Sequence, residues 1–236
     1  MEKRKRPFAL VLQKGSVTPH ALSGRLEPES IKADLRENLS ANEAERPTRT
    51  AAIGLILDAL AGDEAIIAST GKTGRELFTI LDRANHLYVV GGMGTASAIG
   101  FGVAHTLPRQ PVVVIDGDGA ALMKLGALAT IGFYQPSNLL HIILDNEAHD
   151  STGGQQTVSG IVRFAAIAAA ANYRSAFAVD RPEEIREAVR LLRHRPGPSL
   201  LHVKIKPGSP GKLGRPTVQP HEIKERFSQF LRSNAK

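Results

Sequence analysis

VVVIDGDGAALMKLGALATIGFYQPSNLLHIILDN, residues 112–146, holds two runs of branched apolar residues on either side of a segment with helical character. Unbroken apolar runs, as opposed to alternating ones, read as strands buried on both faces, the habit of parallel sheets. The first run closes on Asp116-Gly117-Asp118-Gly119 and the second on Asp145-Asn146. In doubly wound sheets ligands bind beyond the carboxyl ends of the strands, so this order brings Asp118 and Asn146 to one edge. Gly117 and Gly119 let the chain turn tightly and approach a ligand closely. A helix starting near Ala120 turns free N–H groups toward the same edge, a natural seat for phosphate. A carboxylate oxygen and an amide oxygen are hard donors suited to Mg2+ that also takes phosphate oxygens. The two strand ends can therefore hold one metal ion bridging to a diphosphate. Gly-Asp-Gly alone is a common turn; the strand before it, the helix after it and Asn146 at the next strand end give the metal reading its weight.

Working outward, short apolar runs alternate with longer amphipathic ones, the pattern of βαβ units. Strands are expected at 65–69, 87–90, 112–116, 139–145, 175–179 and 200–205, and helices at 49–61, 74–84, 95–106, 120–133, 161–171, 182–194 and 220–232. Arg181-Pro182-Glu183-Glu184 reads as a helix start, with Pro in the first turn and acids near the positive end. Residues 15–48 are polar and without an apolar stripe, and read as a linker or wrapping arm. PFALVLQKG, residues 7–15, reads as one further strand. Residues 206–220, KPGSPGKLGRPTVQP, are too rich in Pro and Gly for regular structure and read as a long loop. The expected fold class is α/β, a doubly wound parallel sheet with helices on both faces. Residues 1–48 are expected to form an N-terminal strand and arm, and 49–236 the main domain.

Composition narrows the function. The 236 residues are 42% hydrophobic, ordinary for a globular protein. No apolar run reaches the ~18 residues of a membrane span, and FALVL near the start is too short for a signal peptide. The absence of Cys excludes disulfides and Cys-ligated zinc and is compatible with the cytoplasm, the expected location. Lys and Arg outnumber Asp and Glu by 10 to 7 in residues 1–50 and 13 to 5 in 181–236, while 51–180 is acidic, 7 against 11. With 5% aromatics and no Trp there is no basic stripe interleaved with rings, so no nucleic-acid partner is expected.

Three more loops fall on the same sheet edge. In STGKTGREL, residues 69–77, Thr70, Gly71, Lys72 and Thr73 offer N–H, hydroxyl and ammonium groups to an anion; a solvated helix start is the plainer alternative. In VVGGMGTASAIGFG, residues 89–102, Gly92, Gly94 and Ser97 are spaced like a dinucleotide fingerprint, with Asp116 near the place of a ribose-binding acid. Its third glycine position is Ser, and a packing turn reads as well. EAHDSTGGQ, residues 147–155, follows Asn146 directly and must leave the edge over the site. His149, Asp150 and Ser151 are its candidate catalytic residues. His149 can relay a proton or pair with an anion, Asp150 is suited to orienting a neighbour, and Ser151 and Thr152 can donate hydrogen bonds. Gly153-Gly154 gives the loop room to close.

Gly117-Asp118-Gly119 followed, one helix and one strand later, by Asp145-Asn146 resembles the signature of thiamin-diphosphate enzymes, with Asp145 in place of the first Asn of a pair. The chain is similar to the diphosphate-binding half of the thiamin-diphosphate-dependent decarboxylases. Within that family it is most like the phosphonopyruvate decarboxylases, with the sulfopyruvate decarboxylases near them. ALVLQKG, STGKTGRELF, GGMGTASAIGFGVA, GDGAALMKLGALATIG, LDNEAHDSTGGQQT and KPGS…LGRPT carry the resemblance, in the family's order; HDSTGGQ and LGRP carry the substrate assignment. The resemblance implies Mg2+ bound by Asp118, Asn146 and the Ala148 carbonyl. It implies a diphosphate held by Thr70, Gly71, Lys72 and the N–H groups of Gly119 and Ala120. Gly91 would offer its carbonyl to the aminopyrimidine, and Met93 would wedge between the two rings of the cofactor. It implies decarboxylation of a small anionic 2-keto acid, with a separate pyrimidine-half (alpha) subunit supplying the activating Glu in a hetero-oligomer. A sulfopyruvate decarboxylase beta subunit, or a catalytically silent cofactor-binding assembly subunit, are the alternatives.

Overall fold

The computed structural model describes residues 10–18, 27–40 and 42–234. In chain order the elements are β1 (Asp34–Asn38), α1 (Arg49–Ala59), β2 (Ala65–Ala68), α2 (Lys72–Ile80), β3 (His86–Tyr88), α3 (Ala96–Thr106), β4 (Val112–Gly117), α4 (Asp118–Met123), α5 (Ala127–Tyr134) and β5 (Leu139–Asp145). There follow a hairpin of β6 (Ala148–His149) and β7 (Gln155–Gln156), then α6 (Phe164–Ala170), β8 (Ser175–Val179), α7 (Pro182–Arg193), β9 (Ser199–Lys204) and α8 (Pro220–Asn234).

Seven strands form one sheet in the order β1-β8-β9-β5-β4-β2-β3, every neighbouring pair parallel. Every residue of β5 and β9 is buried, as expected of largely apolar strands covered on both faces. One face packs Val113, Ile115, Ile142 and Leu201 under α1 and α7; the other packs Val114, Ile143 and Leu200 under α3, α5 and α6, with Phe164 the α6 residue buried among them. α7 shows why a helix forms there. Pro182 sits in its first turn with Glu183 and Glu184, Arg190 and Arg193 close it, and Ile185, Ala188, Val189 and Leu192 make its buried stripe. After β2 the chain steps outward to β3, crosses back to β4 and continues to β5. The crevice beyond the carboxyl ends of β2 and β4 is therefore a switch point, the usual ligand seat of open α/β sheets. Among the described residues no helix is long and apolar enough to cross a membrane.

The structure departs from the sequence reading in four places. The polar arm contributes β1, whose sequence DLREN has no apolar alternation. Its main chain pairs with β8, and Arg36 lies over the Phe177 ring at 4.8 Å, so the ladder and one side chain hold a segment of weak strand propensity. The strand expected at 7–15 is not seen over 10–15, where Leu10, Val11 and Leu12 are exposed; its first residues, 7–9, lie outside the described residues. The single helix expected at 120–133 is two, broken at Lys124–Gly126. The loop after Asn146 contains the hairpin β6–β7.

Candidate functional site

Segments following β2, β4 and β5 meet in a narrow polar cleft of ≈ 50 Å³. That is room for about four waters, or one phosphate-sized group, at the volume a single water requires. Ser69, Thr70 and Lys72 line it from the β2 end, Asp118, Gly119 and Ala120 from the β4 end, and Asn146, Ala148, His149, Asp150 and Ser151 from the β5 end. Met93 reaches it from the turn after β3, where Gly91 and Gly94 adopt φ of 76° and 79° on either side. Only glycine holds such angles at little cost, so the pair presents the methionine to the cleft.

Asp118 is buried, and its Oδ2 accepts hydrogen bonds from Thr157 Oγ1 (2.6 Å) and Ser159 Oγ (3.0 Å). Burial raises its carboxyl above the usual carboxylate value, and the nearby Asp145 charge adds to this against the two hydroxyls. Among the described residues no Lys or Arg is paired with it. Asn146 Nδ2 donates to Asp150 Oδ2 at 2.6 Å, which leaves its amide oxygen to accept elsewhere. The Ser69 hydroxyl, also buried in the cleft wall, has no hydrogen-bond partner among the described residues. A buried carboxylate without a cation, a spare amide oxygen and an orphaned hydroxyl in one cleft fit a divalent metal with a phosphate. No three His, Asp or Glu side chains converge as a cation site among the described residues. That suits Mg2+, which takes one or two carboxylates and fills its remaining positions with phosphate and water oxygens. α4 is short, so the local N–H groups of Gly119 and Ala120, more than a helix dipole, are what the β4 end offers an anion.

Asp145, one residue before Asn146, has no exposed surface. His202 Nε2 and Lys204 Nζ each lie 2.8 Å from its Oδ2, and Ser159 Oγ donates to Oδ1 at 2.6 Å. Burial would raise this carboxyl; hydrogen bonds from His202, Lys204 and Ser159 outweigh it and hold it well below the usual carboxylate range. Lys204 also reaches Glu147 Oε1 at 2.7 Å. The one Ser159 hydroxyl proton lies between two acceptors, closer to Asp145, and so links the Asp118 carboxylate to this charge cluster.

The hairpin carries His149 over the β4 turn. A Cβ built on Gly119 would lie 2.9 Å from His149 Cε1, so the imidazole occupies space that any other residue at 119 would fill. Asp150 turns inward: its Oδ2 accepts from Arg49 Nη2 (2.7 Å), Asn146 Nδ2 (2.6 Å) and the Gly208 N–H (3.1 Å). Arg49, 5% exposed, also pairs with Glu76 Oε1 at 2.9 Å. These contacts on the Asp150 carboxylate, Asn146 among them, are of the kind expected of a residue suited to orienting a neighbour.

The cleft brings together the predicted Thr70, Lys72, Met93, Asp118, Gly119, Ala120, Asn146, Ala148, His149, Asp150 and Ser151. Gly71 lies beside Ser151, facing a neighbouring cavity, and Gly91 is exposed in its turn; neither lines the cleft. The sequence reading missed Ser69, Arg49, Thr157 and Ser159. Ser69 and Thr157 stand at the head and the end of quoted motifs and Ser159 lies two residues beyond, so these could have been found; Arg49 reaches the site from a distant segment.

Residues 69–203 match the family described as thiamine pyrophosphate enzyme, C-terminal TPP binding domain. The chain is 43% identical to phosphonopyruvate decarboxylase of Streptomyces viridochromogenes over 97% of its own length, and spans 57% of that relative. It is 36% identical to sulfopyruvate decarboxylase subunit beta of Methanococcus maripaludis over 72% of its own length, covering 90% of that subunit. Its fold superposes on benzoylformate decarboxylase from Polynucleobacter necessarius with a TM-score of 0.58 at 14% identity, over 71% of this chain and 35% of that one.

Proposed function

The chain belongs to the thiamine pyrophosphate enzymes, through their C-terminal TPP-binding domain, and from that premise we propose that it works in a Mg2+-dependent decarboxylase of phosphonopyruvate, yielding phosphonoacetaldehyde and CO2. The observation that carries the reading is the cleft in which the uncompensated Asp118, the spare oxygen of Asn146 and the orphaned Ser69 hydroxyl converge. Asp118, Asn146 and the Ala148 carbonyl hold Mg2+. Ser69, Thr70, Lys72 and the Gly119 and Ala120 N–H groups hold the diphosphate. Bound thiamin diphosphate supplies the nucleophile and electron sink that a 2-keto acid needs to lose CO2. Met93 props the cofactor from the β3 side. His149 holds a proton at the mouth of the cleft, Ser151 orients the keto acid by donating a hydrogen bond, and Asp150 keeps Asn146 in register.

A phosphate-sized cleft takes only one end of such a cofactor, so the rings need walls from elsewhere. Exposed apolar residues Val90, Met123, Val158 and Ile161 sit on the segments that build or flank the cleft, as an interface with a pyrimidine-half subunit would have them. The 90% coverage of a relative named as a beta subunit supports the same arrangement, and favours sulfopyruvate as the second reading for the substrate.

The test is reconstitution with a pyrimidine-half subunit and measurement of CO2 release from phosphonopyruvate, sulfopyruvate and pyruvate. Phosphonopyruvate should be preferred, and the chain alone should release none with saturating cofactor. Preference for sulfopyruvate selects the second reading; turnover by the lone chain removes the partner. Asp118→Ala should weaken Mg2+-dependent cofactor binding by on the order of 2 kcal/mol, read by calorimetry on the complex; unchanged affinity sinks the metal assignment. His149→Ala should lower kcat/KM roughly tenfold or more with cofactor affinity near wild type.

A further inference from the structure

Beside the cleft, and sharing Thr70, Lys72 and Ser151 with it, lies a second cavity of ≈ 440 Å³. Its walls carry the cations Lys72, Arg75 and Arg215 and no carboxylate. Arg75 has work of its own: its guanidinium donates to the carbonyls of Leu213 (2.7 Å) and Gly214 (3.0 Å). Those bonds fix the turn that leads directly into Arg215, in a loop otherwise too rich in Pro and Gly to order itself. Arg215 and Lys72 themselves form no ion pair among the described residues. Two unpaired cations facing one cavity repel each other and gain from an anion placed between them. The remaining wall includes Val218 and Ile223, which suits a short apolar stem behind a charged head. The diphosphate does not need this space, since the carboxylate and amide oxygens that would hold its metal, and the hydroxyl groups that suit it, line the neighbouring cleft.

Resting on the function proposed above, we infer that Arg215, with Lys72 shared between this cavity and the diphosphate of the neighbouring cleft, forms the seat for the tetrahedral oxyanion at the far end of the keto acid, a phosphonate or a sulfonate, and so sets the enzyme's selectivity against plain 2-keto acids. An arginine fork suits such a group better than a point charge does.

Phosphonoacetate, titrated into the full chain and followed by 31P NMR and calorimetry, tests this without turnover, with sulfoacetate and acetate as parallel arms. Phosphonoacetate should bind saturably and acetate should not. Arg215→Gln should weaken phosphonoacetate at least about tenfold, the loss expected for one charge-assisted contact, and Arg215→Lys should recover part of it. Mg2+ with inorganic pyrophosphate, which shares Lys72, should weaken phosphonoacetate only in part. Sulfoacetate binding more tightly than phosphonoacetate would support the site and assign its selectivity to sulfonates. Wild-type binding in Arg215→Gln, no saturable binding by the wild type, or full displacement by Mg2+-pyrophosphate would each overturn the site. An assembled enzyme without decarboxylase activity but with phosphonoacetate binding intact would remove the reaction and leave the site. Unchanged binding in Arg215→Gln beside normal turnover would remove the site and leave the reaction.

Discussion

At position 145 a carboxylate stands where the thiamin-diphosphate signature has an amide, and its surroundings show what that exchange demands. A charge with no exposed surface is tolerated only when paired and hydrogen-bonded, and His202, Lys204 and Ser159 supply the partners. Asn at 145 would therefore not be a neutral return to the family pattern. Asp145→Asn leaves Lys204 with Glu147 as its one carboxylate and turns an NH2 toward either Ser159 or His202 and Lys204, since only one acceptor oxygen remains. It should cost about 2–3 kcal/mol in urea unfolding, below the cost of stripping a wholly unpaired buried ion. Lys204→Met should cost a similar amount, and the double variant should lose less than the two together by at least about 1 kcal/mol, because both charges leave at once. Simple additivity would mean that the cluster does not act as a unit. The cluster was not legible in the sequence: Asp145 was, as part of a motif, but its partners lie 14 and 57 residues away on a turn and on β9, and neither periodicity nor spacing links residues across a sheet.

Elements position the site through one buried arginine. Arg49, in the first turn of α1, pairs with Glu76 on α2 and with Asp150 on the hairpin, so three segments meet at one guanidinium. Arg49→Met leaves two largely buried carboxylates without a cation and should cost about 3–5 kcal/mol in thermal or urea unfolding. Arg49→Lys should restore part of that stability but less of the Mg2+-dependent cofactor affinity, since an ammonium cannot hold both carboxylates in the fork geometry that keeps Asp150 against Asn146. Equal recovery of both quantities would reduce Arg49 to a structural strut. The elements themselves were mostly legible. β2, β4, β5, β8 and β9 are built on apolar runs, interrupted by His141 in β5 and His202 in β9, and lie within a residue of their expected bounds, because strands covered on both faces write their burial largely into composition. β1 was not legible, since an edge strand with exposed side chains is held by main-chain pairing, which leaves no pattern. The break between α4 and α5 was hidden because the apolar period runs on through it. Gly94 packs so closely on this stretch that a Cβ there would lie 2.9 Å from Lys124 and 3.0 Å from the Ala120 carbonyl.

Across the whole molecule, α8 ties the outer edge of the sheet to both cores: Ile223 packs into one and Phe227 into the other. Arg226, between them, donates to both oxygens of Asp82 at 2.8 and 2.7 Å. Tyr88 donates to the same carboxylate at 2.8 Å, with the His86 ring beside it. The segment that delivers Arg215 thus ends in a helix anchored on β3, and the stability of that edge depends on pH. Burial is the main force lowering His86, to about 4, with Arg83 and Arg226 adding to it against the backbone hydrogen bond with Leu81 and the charge of Asp82. In the unfolded chain His86 takes up its proton near its ordinary value, about 6.5. Between those two values the unfolded chain binds more protons than the folded one, so stability falls as pH drops through the window. At pH about 4.5 the loss from this residue should be about 2 kcal/mol relative to pH 7. Asp82 works in the same direction, since the hydrogen bond from Arg226 lowers its carboxyl and acid erodes that pairing. The contribution of His86 is therefore read as the difference between wild type and His86→Gln, which cannot titrate. Urea midpoints of the two should converge toward pH 4.5, with the wild type losing more of its stability from pH 7. Parallel curves would show that His86 is not held neutral by the fold, and that the acid sensitivity of this edge rests on the Asp82–Arg226 pair alone.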